Sequence, residues 1–276
     1  MGILYVVGTP IGNLQDLSPR ALRVLREAAL VAAEDTRKTR ALFARYDIHT
    51  PLTSYFEHNK LAKLDAILAA LERGDVAIVS EAGMPGLSDP GYELIRAAIQ
   101  AGFAVVPIPG PVAAITALVV SGLPADNFTF LGFLPRKASE RRRALQEVAA
   151  ERRTLVLYEA PHRLADCLAD IQSVLGDRPI AVARELTKLH EEIYRGTVAG
   201  AREHFTGDVR GEVTLVLGGA TEESAAWDEE QVRQALRQAL GDGADRKGAV
   251  QRVTQASGWP RREVYRLALE IKAGDA

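Results

Sequence analysis

Short runs of apolar, often β-branched residues alternate along the first half of the chain with segments whose apolar positions recur at helical spacing. Leu4-Tyr5-Val6-Val7, residues 30–33, residues 75–80 and Phe103-Ala104-Val105-Val106 read as strands. Uninterrupted apolar runs of this kind suit parallel strands covered on both faces. A helix opens at Ser18-Pro19, with Ser as N-cap and Pro at the first helical position, and Leu22, Leu25 and Ala29 mark its buried side. Further helices are expected near residues 36–46, 59–73 and 92–101, and an apolar one at 112–121. The alternation predicts a parallel sheet with helices on its faces.

The pattern then changes. Phe128-Thr129-Phe130-Leu131-Gly132-Phe133 alternates at the period of a strand, and a basic helix is expected at 139–150. Strands follow at 154–158, 180–184, 192–197 and 212–217, with a helix near 164–175. The closer spacing over 180–198 predicts mixed or antiparallel pairing. Residues 221–226 read as a linker. Beyond it Val232, Ala235, Leu236 and Ala239 recur at i, i+3, i+4, i+7, as do Val264, Leu267, Ala268 and Ile271. Val250 and Val253 lie on a helix between these two, ending at Ser257-Gly258-Trp259-Pro260. Gly as C-cap and Pro at the next first position make a helix–turn–helix. Such a unit can grip nucleic acid, or serve as a dimer contact or plain packing. The expected division is an α/β domain over 1–123, a second over 124–220 and a small helical domain over 227–276.

Composition changes this picture little. The apolar fraction of 47% and charged fraction of 25% are those of globular proteins. A net charge of −2 leaves no bulk positive field for nucleic acid, so any such contact must use local patches. Of 34 basic residues only seven are lysine; arginine suits phosphate, yet a GC-rich genome yields the same bias. The lone Cys167 excludes an internal disulfide, and with no signal peptide at the N-terminus a cytoplasmic protein is expected. No charged residue occurs between Arg96 and Asp126, but Pro107, Pro109, Pro111 and Pro124 break that stretch into strand, loop and helix rather than a membrane span.

Chemistry concentrates in two glycine- and proline-rich loops. Ser80-Glu81-Ala82-Gly83-Met84-Pro85-Gly86-Leu87-Ser88-Asp89-Pro90-Gly91 follows one strand, and Pro109-Gly110-Pro111 follows another. Loops at the carboxyl ends of parallel strands are where open α/β sheets place ligands. Neither Gly-x-Gly-x-x-Gly nor Gly-x-x-x-x-Gly-Lys-Ser/Thr is present, nor a His-Glu-x-x-His, nor a Gly-x-Ser-x-Gly. The five histidines lack metal-ligand spacing. What remains is a stiff, largely neutral pocket, suited to a ligand that is already chemically activated, such as a sulfonium methyl donor.

Gly8-Thr9-Pro10-Ile11-Gly12-Asn13-Leu14, Ala33-Glu34-Asp35-Thr36-Arg37, Glu81-Ala82-Gly83-Met84-Pro85, Ser88-Asp89-Pro90-Gly91, Pro109-Gly110-Pro111 and Tyr158-Glu159-Ala160-Pro161-His162-Arg163 occur in one order. Together they resemble the tetrapyrrole methylase superfamily, and within it the branch that methylates the ribose 2′-oxygen of a cytidine in small-subunit ribosomal RNA. The resemblance runs from about Leu4 to Gly219. It implies two α/β domains with S-adenosylmethionine in the cleft between them, in a homodimer, and no metal. Carried onto this chain, it implies cofactor contacts at Pro10, Ile11, Gly83, Met84, Pro85, Leu87, Ala113, Ala114, Tyr158, Leu186, Glu212 and Val213. Many relatives carry Gly-Asp-Pro where Gly83-Met84-Pro85 stands here, so Asp89 or Glu81 is expected to supply the missing carboxylate.

The cations fit an RNA substrate. Arg37, Lys38 and Arg40 follow the strand-end carboxylates Glu34 and Asp35; Arg136 and Lys137 follow Phe133; His162 and Arg163 sit at another strand end. All seven are expected to contact RNA, and the substrate is expected to be the assembled small subunit, since a weakly acidic protein grips free RNA poorly. A protonated 2′-hydroxyl is a poor nucleophile, so a base helps. Asp35, Glu81, Asp89 and His162 are the polar candidates, with Glu81 and Asp35 expected first. Two alternatives stand beside this reading: a methyltransferase of the same fold acting on a corrin-type ring, and a non-catalytic RNA- or cofactor-binding module.

Overall fold

The computed structural model describes residues 2–221, 227, 229–242, 244–257 and 259–271. The early apolar runs form a five-stranded sheet of β1 (Ile3–Val7), β2 (Leu30–Ala33), β3 (Leu52–Ser54), β4 (Val76–Val79) and β5 (Ala104–Ile108), in the order β3-β2-β4-β1-β5. Every pairing in it is parallel. The connecting helices are α1 (Pro19–Glu27), α2 (Thr36–Arg45), α3 (Lys60–Arg73), α4 (Tyr92–Gln100) and α5 (Ala113–Val120). Two apolar clusters lie on the sheet. One joins Val7, Val31 and Val79 to Leu25 of α1 and Phe43 of α2. The other joins Leu4, Val76 and Ile78 to Ile67 and Leu71 of α3 and Leu94 of α4. β4, buried at all four residues, is the covered strand its sequence predicts.

The second sheet contains β6 (Phe128–Phe133), β7 (Thr154–Glu159), β8 (Pro179–Arg184), β9 (Glu192–Thr197) and β10 (Val213–Leu217), in the order β6-β7-β10-β8-β9. Only β6 and β7 pair in parallel; the hairpin of β8 and β9 gives the antiparallel pairing that the short spacing predicts. Helices α6 (Ala138–Glu147), α7 (Leu164–Leu175) and α8 (Val198–His204) belong to this half. Alternation separates the two faces of the sheet. Leu155, Leu157, Val182 and Leu215 pack with Leu168 and Ile171 of α7, whereas the smaller Val156, Ala181, Ala183 and Val216 pack with Ala114, Ala117 and Leu118 of α5. Small residues on that second face let α5, which belongs to the first half, dock closely on the sheet of the other.

Helices α9 (Glu229–Gly241), α10 (Arg246–Ser257) and α11 (Arg261–Glu270) share a separate core of Val232, Leu236, Val250, Val253, Val264 and Leu267. The expected linker falls, apart from Thr221, outside the described residues, and so does Gly258. Among the described residues no helix is long and apolar enough to cross a membrane.

Several local expectations are corrected. α1 stops at Glu27, so Val24 rather than Ala29 completes its buried side; Ala29 is exposed and donates its N–H to Asp75 O at 2.8 Å. Pro260 is the N-cap of α11 rather than its first residue, and Ile271 its C-cap. The basic helix ends at Glu147, three residues early. The strand β3 and helix α8 carry too few periodic positions to stand out in the sequence.

Candidate functional site

Four strands of the first sheet end in loops that meet. The loop after β1 and the loop after β4 are zipped by a two-way backbone bridge, Thr9 N–H to Gly83 O at 2.9 Å and Gly83 N–H to Thr9 O at 3.1 Å. Gly83 holds φ +83°, the left-handed region where a side chain strains the backbone. Behind the bridge, a Cβ placed on Gly8 would lie 2.7 Å from Gly110 Cα, so the ends of β1 and β5 approach as only glycines allow. Ser88 holds φ +63° without being glycine, one residue before Asp89. Such strain persists where surrounding structure enforces it.

These loops and the second sheet enclose a cavity of about 280 Å³. The first half contributes Ile11, Glu34, the turn from Glu81 to Asp89, Val112 and Ala113; the second contributes Phe133, Tyr158, Glu159 and residues 212–214. Tyr158 ties the two halves: its hydroxyl accepts the Ala114 N–H at the start of α5, at 3.2 Å. The Tyr158 ring rests against Phe130 and Phe133, with ring centres 5.2 and 5.5 Å away.

Besides Glu159, which is buried and paired with Arg163, four carboxylates ring the space. Half-buried Asp89 is pushed up to about 6, first by loss of hydration and then by the charge of Glu34, with Glu212 adding to it; a hydrogen bond to Ser80 opposes the shift. Glu34 is also raised by burial, while Lys38 draws it down; its Oε2 accepts the Glu81 N–H at 3.1 Å. Glu81 is exposed and paired with Lys38, and Glu212 bonds Lys188 at 3.0 Å. Carboxylates crowded together with too few cations resist ionisation. A bound cation would relieve them.

Of the residues expected at the cofactor, Ile11, Gly83, Met84, Leu87, Ala113, Tyr158, Glu212 and Val213 line this cavity. Pro85 is buried beneath the turn. Ala114 and Leu186 sit with Ile11 in the apolar cluster behind the wall, and Pro10 faces a smaller neighbouring hollow of about 220 Å³ shared with Lys38 and Glu81. Glu81 reaches both spaces. Asp35 does not face the cavity: it is the N-cap of α2, accepting the Arg37 N–H at 2.8 Å and the Lys38 N–H at 3.4 Å, with Arg37 Nη2 at 3.0 Å from its other oxygen. Hydrogen bonds from Arg37 draw its pKa down to about 2.

The expected RNA-contacting cations divide. Arg37, Lys38, Arg40, Arg136, Lys137 and His162 are solvent-exposed. Arg163 is committed inward, with Nε 3.2 Å from Oε1 of the fully buried Glu159 side chain and Nη2 donating to the carbonyls of Leu134 and Pro135, each at 3.0 Å. Glu34 and Phe133 line the cavity although neither was expected there as a site residue. The signal for both is position: Glu34 directly follows β2 and Phe133 ends β6.

Residues 3–201 match the family described as Tetrapyrrole (Corrin/Porphyrin) Methylases. The chain belongs to that family. It is similar to the Ribosomal RNA small subunit methyltransferase I of Synechocystis sp., with 47% identity over 99% of both chains. The protein of the same name from Halalkalibacterium halodurans is 45% identical over 96% of this chain and 94% of its own. Among solved structures, a uroporphyrin-III-C-methyltransferase from Thermus thermophilus superposes with a TM-score of 0.55 at 24% identity, covering 79% of this chain and 94% of its own. The methyltransferase CobJ gives 0.57 at 20%, covering 80% and 95%. These two likenesses establish the shared fold of the family: two α/β halves with a cleft between them.

Proposed function

We propose that this chain transfers a methyl group from S-adenosylmethionine to the ribose 2′-oxygen of a cytidine in small-subunit ribosomal RNA. The observation that carries the reading is the near-full-length similarity to proteins named for methylating small-subunit ribosomal RNA, at identities of 41–47%. The cavity fits the donor. A sulfonium and an ammonium are cations, which suits a space ringed by Glu34, Glu81, Asp89 and Glu212; the flat adenine suits Ile11, Met84, Val112 and Ala113. When bound, the donor supplies a methyl group activated by a positive sulfur, which leaves as a neutral thioether.

The chain's own residues then have three tasks. The Gly83 turn and the start of α5 hold the donor from one side, and Tyr158, Glu212 and Val213 from the other, so that alignment lowers the barrier before any acid–base help. Asp89 accepts the 2′-hydroxyl proton as the oxygen–carbon bond forms and the sulfur–carbon bond breaks. It replaces Asp35 in that role, because Asp35 spends both oxygens on α2 and Arg37, and a carboxylate held near 2 is a feeble base. Asp89, raised to about 6, is matched to a reaction near neutral pH. The exposed Lys38, paired with Glu81, and Arg136 and Lys137, just after Phe133, meet phosphates of the substrate.

The same proposal extends to the assembled small subunit as substrate in the cytoplasm, to a homodimer, and to domains divided near residues 123 and 220. Exposed apolar residues on α5, Ile115 and Val119, support the dimer. Tritiated-methyl transfer to small subunits lacking the modification, followed by nucleoside analysis, tests the reaction. Labelled 2′-O-methylcytidine is expected. No label despite measurable cofactor binding overturns the proposal and directs attention to small-molecule acceptors.

A further inference from the structure

Phe133 is the last residue of β6, an edge strand, and is 55% exposed while it also lines the cavity. A large aromatic half in water beside a polar pocket is costly unless something covers it. The ring cannot drift, because its inner edge leans on Tyr158, which is itself held by the Ala114 N–H. The chain just after it is braced as well. Arg163 grips the carbonyls of Leu134 and Pro135, and buried Glu159 holds Arg163. Exposed Arg136 and Lys137 come next, on the same connection to α6. A fixed aromatic face followed within four residues by two exposed cations, Arg136 and the Lys137 that bonds Glu140 at 3.2 Å, matches one nucleotide, with a base to stack and phosphates to neutralise.

We propose that Phe133 is the stacking platform for a nucleobase of the RNA substrate, at or next to the methylated nucleotide, and that Arg163 is a positioning residue that holds this platform rather than an RNA contact. The inference rests on the functional reading above for its substrate class. The exposed ring stands at the rim beside Tyr158, across the cavity from Ile11, Gly83 and Met84, so the donor affinity is what distinguishes a base contact from a donor contact. Stacking explains the otherwise unmatched pair of features, an exposed ring and a rigid support.

The test compares the wild type with Phe133→Ala and Phe133→Trp. Three readouts are taken: S-adenosylmethionine affinity by calorimetry, KM for unmodified small subunits, and affinity for a cytidine-rich oligoribonucleotide in the presence of S-adenosylhomocysteine. The exposed position makes both variants foldable, and a melting curve checks this. The alanine variant is expected to raise KM and weaken oligonucleotide binding by about tenfold or more, leave donor affinity within twofold, and be rescued by tryptophan. A parallel loss of donor affinity overturns the proposal in favour of a cofactor contact. Unchanged KM and oligonucleotide affinity overturn it outright. If the wild type fails to methylate subunits, the functional reading fails by itself, and the oligonucleotide comparison still decides whether Phe133 stacks bases.

Discussion

At the residue scale, Asp89 is the side chain on which the chemistry turns. Its shift upward to about 6 has a sign that can be followed in two measurements. Because the folded state holds the proton more tightly than the unfolded chain, Asp89 favours folding below about pH 4, and that contribution is lost as pH rises through about 6. Asp89→Asn is therefore expected to melt higher than the wild type at pH 7.5, with the gap closing below about pH 4. Methyl transfer moves the other way. The wild-type kcat/KM should fall as pH drops through about 6, and the asparagine variant should lose about 10²–10⁴-fold in kcat and also bind the cationic donor more weakly. A variant that keeps wild-type kcat would remove Asp89 from the chemistry. None of this is legible in Ser88-Asp89-Pro90 alone, because the shift comes first from burial between the two halves and then from Glu34 on another loop and Glu212 just before β10.

At the scale of elements, Asp35 shows how a strand-end carboxylate is diverted. β2 ends at Ala33 and α2 starts at Thr36, so the residue just before the helix has its side chain next to unbonded N–H groups. Asp35→Ala is expected to cost about 1 kcal/mol, read as a lowered melting temperature, while leaving kcat near the wild-type value. A large loss of kcat without loss of stability would restore Asp35 to the active site. Element type was legible across the first half, apart from the three-residue β3, because parallel strands and amphipathic helices have such different apolar periods. Ends were less so. Whether α1 includes Ala29 depends on Asp75 O capturing its N–H, a contact made across the fold.

At the scale of the whole molecule, the site exists only because α5 of the first half lies on the small-residue face of the second sheet. Tyr158 fastens that junction, and the cavity is what the two halves leave between them. α5 is apolar on nearly every side, and Val119, 66% exposed, lies on the side that neither sheet covers. Val119→Asp is expected to shift sedimentation equilibrium from dimer to monomer while leaving the melting of the monomer close to the wild type. A dimer of unchanged strength would place the interface elsewhere. The pairing of a parallel first sheet with a mixed second one follows from connection length: helical crossovers bring strands back parallel, whereas the short link between β8 and β9 can only reverse the chain.

By itself the sequence determined what depends on near neighbours: the strands and helices, the stiff turns around Gly83 and Gly110, and the order of motifs that marks the family. It also determined that carboxylates and cations would stand at strand ends. Tertiary structure alone decided what each of them does. Arg163 and Arg136 are both cations near the Phe133 connection, yet one is drawn inward by Glu159 and the other is left in water. Asp35 and Asp89 are both acidic loop residues, yet one is held near 2 by Arg37 and the other lifted to about 6 by burial beside Glu34. Electrostatic environment is set by groups that are distant in the chain and close in space, so it appears only once the two halves have met.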